Sequence, residues 1–238
     1  MIAAPKRAPR RPSRIDRGLS LVELMVGVTI GLFVVAAATV MVSGQLGENR
    51  RLLLETQLQQ DLRATADIIT RELRRTGALL RPQKSVSSAT FTAEENARGA
   101  TTPASGPSSN VTFKYERTAS EVGDWGYKLE GGVIKTQLAS PAGWQDLTDG
   151  AVMVVESFTI NIERSTPQQL PCPALCSGGG TDCWPVMYVR DFVVDITARA
   201  RNTPDGAPIR RSVRSTVRAR NDWVEFKLGA SPTVVCPA

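Results

Sequence analysis

The chain has 238 residues, 42% hydrophobic and 22% charged, enough for one globular domain with an extension rather than two full domains. Its formal charge of +6 is concentrated in residues 1–18, where Lys6, Arg7, Arg10, Arg11, Arg14 and Arg17 face only Asp16; the remaining 23 basic and 22 acidic residues nearly cancel, which removes most of the case for a polyanionic partner. Histidine is absent, which excludes imidazole bases, histidine-containing nucleophile triads and imidazole metal sites, so no enzyme and no cofactor are expected.

The basic leader is followed by an apolar run. From Leu19 to Gly47 the single charged residue is Glu23. A helix over LSLVELMVGVTIGLFVVAAATVMV spans roughly 36 Å at about 1.5 Å per residue, sufficient for a bilayer core. Because the basic residues all precede the run, the N-terminus is expected to stay cytoplasmic and the rest to be exported. The run is too long for the apolar core of a secretory signal, and no A-x-A site follows it. A plain signal anchor leaves Glu23 unexplained. An unpaired carboxylate costs about 2.5–3.5 kcal/mol or more near the bilayer centre and less near an end. Cutting between Gly18 and Leu19 creates an ammonium four residues before Glu23, where the Glu23 of a neighbouring helix can meet it.

The residues RGLSLVELMVGVTIG resemble the class III signal of type IV prepilins and pseudopilins. The resemblance implies that a prepilin peptidase cuts after Gly18 at the cytoplasmic face and methylates the new N-terminus. It makes Leu19 the first mature residue and Glu23 the fifth, and turns the apolar segment into a filament core. Leu19 stands where phenylalanine or methionine is more usual, and the midway proline of many major pilins is missing. Gly27 and Gly31 form a G-x-x-x-G pair that permits close helix approach, although such glycines are also simply tolerated in membrane helices.

The helical pattern continues from Glu48 to Thr76 without proline or glycine. Leu54, Leu58, Leu62, Ile69 and Leu73 form one apolar stripe, suited to docking on a globular head rather than to a strict coiled coil. Gly77 supplies a stop and Pro82 blocks resumption. Residues 78–110, with the run TTPASGPSSN, read as a linker or long loop.

Strand-like segments follow at Val111–Glu116, Gly126–Leu138 with a Gly131–Gly132 turn, Val152–Glu163, Val186–Ala200 and Ile209–Arg220. In the last, Val213, Ser215, Val217 and Ala219 share one face; Arg210, Arg214, Arg218 and Arg220 share the other. That basic stripe could contact DNA phosphates, but without interleaved aromatics it fits a solvated or salt-bridged sheet face better. The expected fold is α+β: a long N-terminal helix whose second half packs on a mainly antiparallel sheet.

Cys172, Cys176, Cys183 and Cys236 are expected to form disulfides in an oxidising compartment, since C-x3-C-x6-C without histidine is not a zinc pattern. Three pairings are open, and Cys236 is placed to tie the tail to the Cys172–Cys183 loop. That loop suits surface display, but stapling of an exported domain, typically worth about 2–4 kcal/mol, is explanation enough.

The chain thus divides into a leader (1–18), a membrane or filament-core helix (19–47), its amphipathic continuation (48–77), a linker (78–110) and a β-rich head with a disulfide loop (111–238). Its first 80 residues, including QLQQDLRATADIITRELRRTG, and more weakly LTDGAVMVVESFTINIE and STVRARN, resemble minor pilins of the PilW type. That resemblance implies a pilus-initiating subunit in support of adhesion, twitching motility or DNA uptake. Its partners would be the peptidase, other minor and major pilins, the inner membrane and a tip adhesin. It also implies a single-pass inner-membrane precursor with a periplasmic head, found on the pilus or cell surface after assembly. The J-type pseudopilin of type II secretion shares this outline. A DNA-receptor pilin and a signal-anchored periplasmic enzyme are the rivals of other classes; no phosphate loop, nucleophile elbow or catalytic carboxylate pair supports the enzyme.

Overall fold

The computed structural model describes residues 18, 20–79, 99–116, 118, 122–138, 143–203, 207–225 and 236. The leader 1–17, Leu19 and residues 80–98 of the expected linker lie outside them. The chain forms two compact units, Met1–Asn49 and Arg50–Ala238.

Helix α1 runs from Leu21 to Leu73. It loses its i→i−4 pattern where i→i−3 bonds tighten the last turn: the amide of Arg75 donates to the Glu72 carbonyl (2.9 Å) and that of Thr76 to the Leu73 carbonyl (3.1 Å). Gly77 then takes φ 75°, a left-handed conformation open to glycine. In the second unit, α1 buries Leu58, Leu62, Ile69 and Leu73 of the stripe the sequence periodicity predicts, together with Thr65 and Ala66, which it did not include. Leu54 packs at its margin.

The strands are β1 (Thr101–Thr102), β2 (Gly106–Ser108), β3 (Asn110–Glu116), β4 (Val122–Glu130), β5 (Val133–Leu138), β6 (Gly143–Asp146), β7 (Met153–Arg164), β8 (Gln168–Gln169), β9 (Val186–Tyr188), β10 (Arg190–Ala200), β11 (Arg210–Arg218) and β12 (Trp223–Glu225). They form three antiparallel sheets rather than the single sheet expected: β1-β3-β4-β5-β6, β11-β10-β7-β2 and β12-β9-β8. The first two turn their apolar faces to the helix stripe. Val111, Phe113, Tyr127 and Ile134 come from one, and Phe158, Ile160, Phe192, Val194 and Ile196 from the other. The fold is therefore α+β, one long helix with antiparallel sheets.

Other boundaries also differ from the expectation. Val186–Ala200 is not one strand: it breaks at Val189 and supplies β9 and β10 to different sheets. The expected linker contains β1, β2 and the first residue of β3. These short strands exist by pairing, β1 with β3 and β2 with β7, and not by local propensity. The Gly131–Gly132 turn is as predicted. Both glycines have positive φ (63° and 77°), and Glu130 pairs with Val133 across them, which is the geometry of a primed two-residue turn.

An aromatic ladder lines the inner face of the first sheet, with Tyr115 stacked on Trp125 at 4.7 Å and Phe113 beside Tyr115 and Tyr127 at 6.2 and 6.1 Å. The Tyr115 hydroxyl donates to the Glu72 carboxylate, which Arg75 also holds at 3.1 Å. Burial raises the ionisation of Tyr115 above the ordinary 10.0, helped by that hydrogen bond to Glu72. Burial, reinforced by the Glu72 charge, does the same for Tyr127. A phenol that holds its proton more tightly folded than unfolded stabilises fully below the ordinary value, and its contribution is lost as pH rises above it. The melting temperature of the detergent-solubilised chain is therefore expected to fall as pH rises above about 10. The fall should be shallower in the Tyr115→Phe, Tyr127→Phe double variant; an equal slope in both proteins would refute the assignment.

Candidate functional site

The start of α1 is built for a charged encounter. Ser20 sits at its N-cap, its carbonyl accepting the Leu24 amide at 3.1 Å. Glu23 is the third helical residue, so Ser20-Leu21-Val22-Glu23 is the sequence pattern of a capping box. The helix dipole favours a carboxylate there. This local role was not drawn from the sequence, although the S-x-x-E spacing carries it.

The apolar segment behind Glu23 is exposed all round, with Phe33 79% accessible, and is long and apolar enough to cross a membrane. Its hydroxyls are satisfied internally. Thr29 donates to the Met25 and Val26 carbonyls (3.1 and 2.9 Å), Thr39 to Val35 (2.8 Å) and Ser43 to Thr39 (2.8 Å). Among the described residues the Glu23 carboxylate has no side-chain partner, and it is the one charged group between Ser20 and Gly47. Gly18 is exposed, and a Cβ there meets nothing within 4 Å. The same holds for Gly27 and Gly31, which leaves the helix surface open to close approach by another helix.

The second candidate, the arginine stripe, is largely neutralised. A bulge in β7 at Glu156 keeps both Val155 and Phe158 inside and turns the Glu156 carboxylate to Arg210 (2.9 Å) and Arg199 (3.4 Å). Arg214 faces Asp195 at 3.8 Å, and Arg218 stands opposite Asp191 in register. Arg220 lies beyond the end of the strand, where its amide donates to the Arg74 carbonyl (2.9 Å). Arg210, Arg214 and Arg218 thus stand against acids, unlike an anion-binding stripe.

The cysteines pair as Cys172–Cys236 and Cys176–Cys183, so the bond from Cys236 does reach the loop. Inside the loop the Trp184 indole donates to the Ala174 carbonyl at 3.0 Å. Arg190 was missed by the sequence reading and is only 1% exposed. Its guanidinium donates to the carbonyls of Gly99 and Asn221 and stacks on Trp223 at 5.7 Å, tying three chain segments together. Burial, then the nearby Arg164 charge, pushes it down to about 10. The signal was its parity with Phe192, Val194 and Ile196, which puts it on the inner face of β10.

Two family models match. Residues 13–39 match the model described as the prokaryotic N-terminal methylation motif. Residues 51–219 match the model described as prepilin peptidase-dependent protein B. No curated protein and no solved structure matches the chain.

Proposed function

Since the chain belongs to the prepilin peptidase-dependent protein B family, we propose that it is a minor type IV pilin of the PilW kind, a structural subunit that helps start or assemble the pilus. The methylation motif over residues 13–39 contains both Gly18 and Glu23 and supports cleavage between Gly18 and Leu19. The observation that carries the reading is Glu23: one carboxylate without a partner among the described residues, at the head of an apolar helix whose Thr29, Thr39 and Ser43 hydroxyls are satisfied internally.

Assembly follows from that charge. In the precursor the helix is held in the membrane, with the leader arginines on the cytoplasmic side. Removal of the leader replaces them with one ammonium at Leu19. Among packed helices, Glu23 of one subunit meets the ammonium of another. In a low-dielectric bundle a compensated pair is tolerated and a lone charge is costly. The Gly27–Gly31 face lets the backbones approach.

Glu23→Ala is expected to leave leader removal and membrane abundance unchanged and to lower recovery of the chain in sheared filaments by roughly tenfold or more, the scale of losing a desolvated charge pair. Wild-type recovery of this variant would discard the pairing role.

A further inference from the structure

The edge of the second sheet carries a feature that filament-core packing does not use. β11 is the terminal strand of β11-β10-β7-β2. The Ala200 amide donates to the Ile209 carbonyl and the Ala219 amide to the Arg190 carbonyl, both at 2.9 Å. With antiparallel alternation, the odd-numbered residues 209–219 therefore exchange hydrogen bonds with β10. The even-numbered ones, from Arg210 through Ser212 and Arg214 to Arg218, turn their backbone N–H and C=O groups to the free edge.

A groove of about 320 Å³ lies between this edge and α1, lined by Gln59, Leu62, Arg63, Ser212, Val213 and Arg214. That volume is at the lower end of the range for ligand-holding clefts. Leu62 and Val213 give it an apolar floor, and the polar lining includes no carboxylate.

Charge along the strand is uneven. Arg210 is neutralised by Glu156 and Arg211 by Glu55, and Arg218 stands opposite Asp191. Beside the groove, Arg63 has no ion-pair partner among the described residues, and Arg214 is 3.8 Å from its nearest acid. Of the two arginines that line the groove, Arg63 is therefore open to an acid, and Arg214 holds Asp195 only in a long pair between exposed side chains.

We propose that this groove is a β-augmentation site for an extended, carboxylate-bearing segment of a different filament subunit, which would add a strand to β11 and place an acid between Arg63 and Arg214. It rests on the filament reading above. A second copy of this chain is a poor occupant. Pairing β11 with another β11 brings like charges together. Every other terminal strand among the described residues has four residues or fewer, against nine in β11. Charged residues on an edge also guard against aggregation. A guard works with either sign of charge, whereas a docking site for an acid does not.

The test places photo-reactive benzoylphenylalanine at Gln59 of the full chain in filament-forming cells, with cross-linked peptides from sheared filaments read by mass spectrometry. The expected product joins position 59 to a different pilin subunit at an extended stretch containing Asp or Glu. Its yield should fall roughly tenfold in the Arg63→Glu, Arg214→Glu variant, persist in Arg63→Lys, Arg214→Lys, and return when the cross-linked acid is changed to lysine. The melting temperature of each variant checks that the head still folds. Cross-links only within this chain, to a second copy of it or to a molecule other than a pilin overturn the proposal, as does a yield indifferent to charge reversal. In those cases wild-type chain in the filaments leaves the pilin reading standing. Wild-type chain absent from them overturns both.

Discussion

Replacing Gly18 with leucine is expected to leave the leader attached. The variant recovered from membranes should keep the mass of residues 1–18, and the wild-type chain should lack it. The reason lies in access to a bond. A peptidase that cuts after residue 18 must bring its catalytic groups against that backbone, and the missing Cβ is what permits the approach. The fold itself makes no demand for glycine here, since a Cβ at Gly18 meets open space. Loss of processing in Gly18→Leu therefore reports on recognition and not on misfolding. The downstream effect is expected to be total. Without the cut no ammonium forms at Leu19, Glu23 keeps its unmet charge, and incorporation into filaments fails. Normal trimming of Gly18→Leu would place the cut elsewhere and remove the chemistry assigned to Glu23.

Ile69→Ala tests the other half of the helix. Ile69 is 0% exposed on the stripe facing both large sheets, whereas its neighbour Ile68 is 44% exposed. Truncating the buried isoleucine removes about 2–5 kcal/mol, a large part of the stability of any domain. For a unit of this size the melting temperature should fall by roughly 4–20 °C. Ile68→Ala deletes the same atoms from the solvent side and improves helix propensity, so its change should stay within about 0.5 kcal/mol of zero. Equal losses at the two positions would mean that the stripe is not the packed face.

These contrasts also mark what the sequence could tell. Leu58, Leu62, Ile69 and Leu73 were legible because helical spacing and burial coincide. The Gly131–Gly132 turn was legible because few residues other than glycine take positive φ twice in succession. Gly18 and Glu23 stood out because a basic leader, a glycine and one acid precede a long apolar run. What stayed hidden depends on distant pairing. β1 and β2 have no pattern of their own and appear only where Phe113 and Ile162 offer an edge. The split at Val189 follows from two sheets competing for one apolar segment. The neutralisation of Arg210 needed the bulge at Glu156, about fifty residues upstream, which no local signal announces. Arg63 reads as an ordinary helix-surface arginine until β11 is placed beside it.

The two disulfides are nested: Cys176–Cys183 lies inside the span closed by Cys172–Cys236. A chain oxidised thiol by thiol as it emerges presents Cys172 and Cys176 together, long before Cys236 arrives. An oxidase that acts before Cys183 emerges joins Cys172 to Cys176, and the native pattern is then reached only by thiolate exchange. One that acts a few residues later can close Cys176–Cys183 directly and leave Cys172 for Cys236.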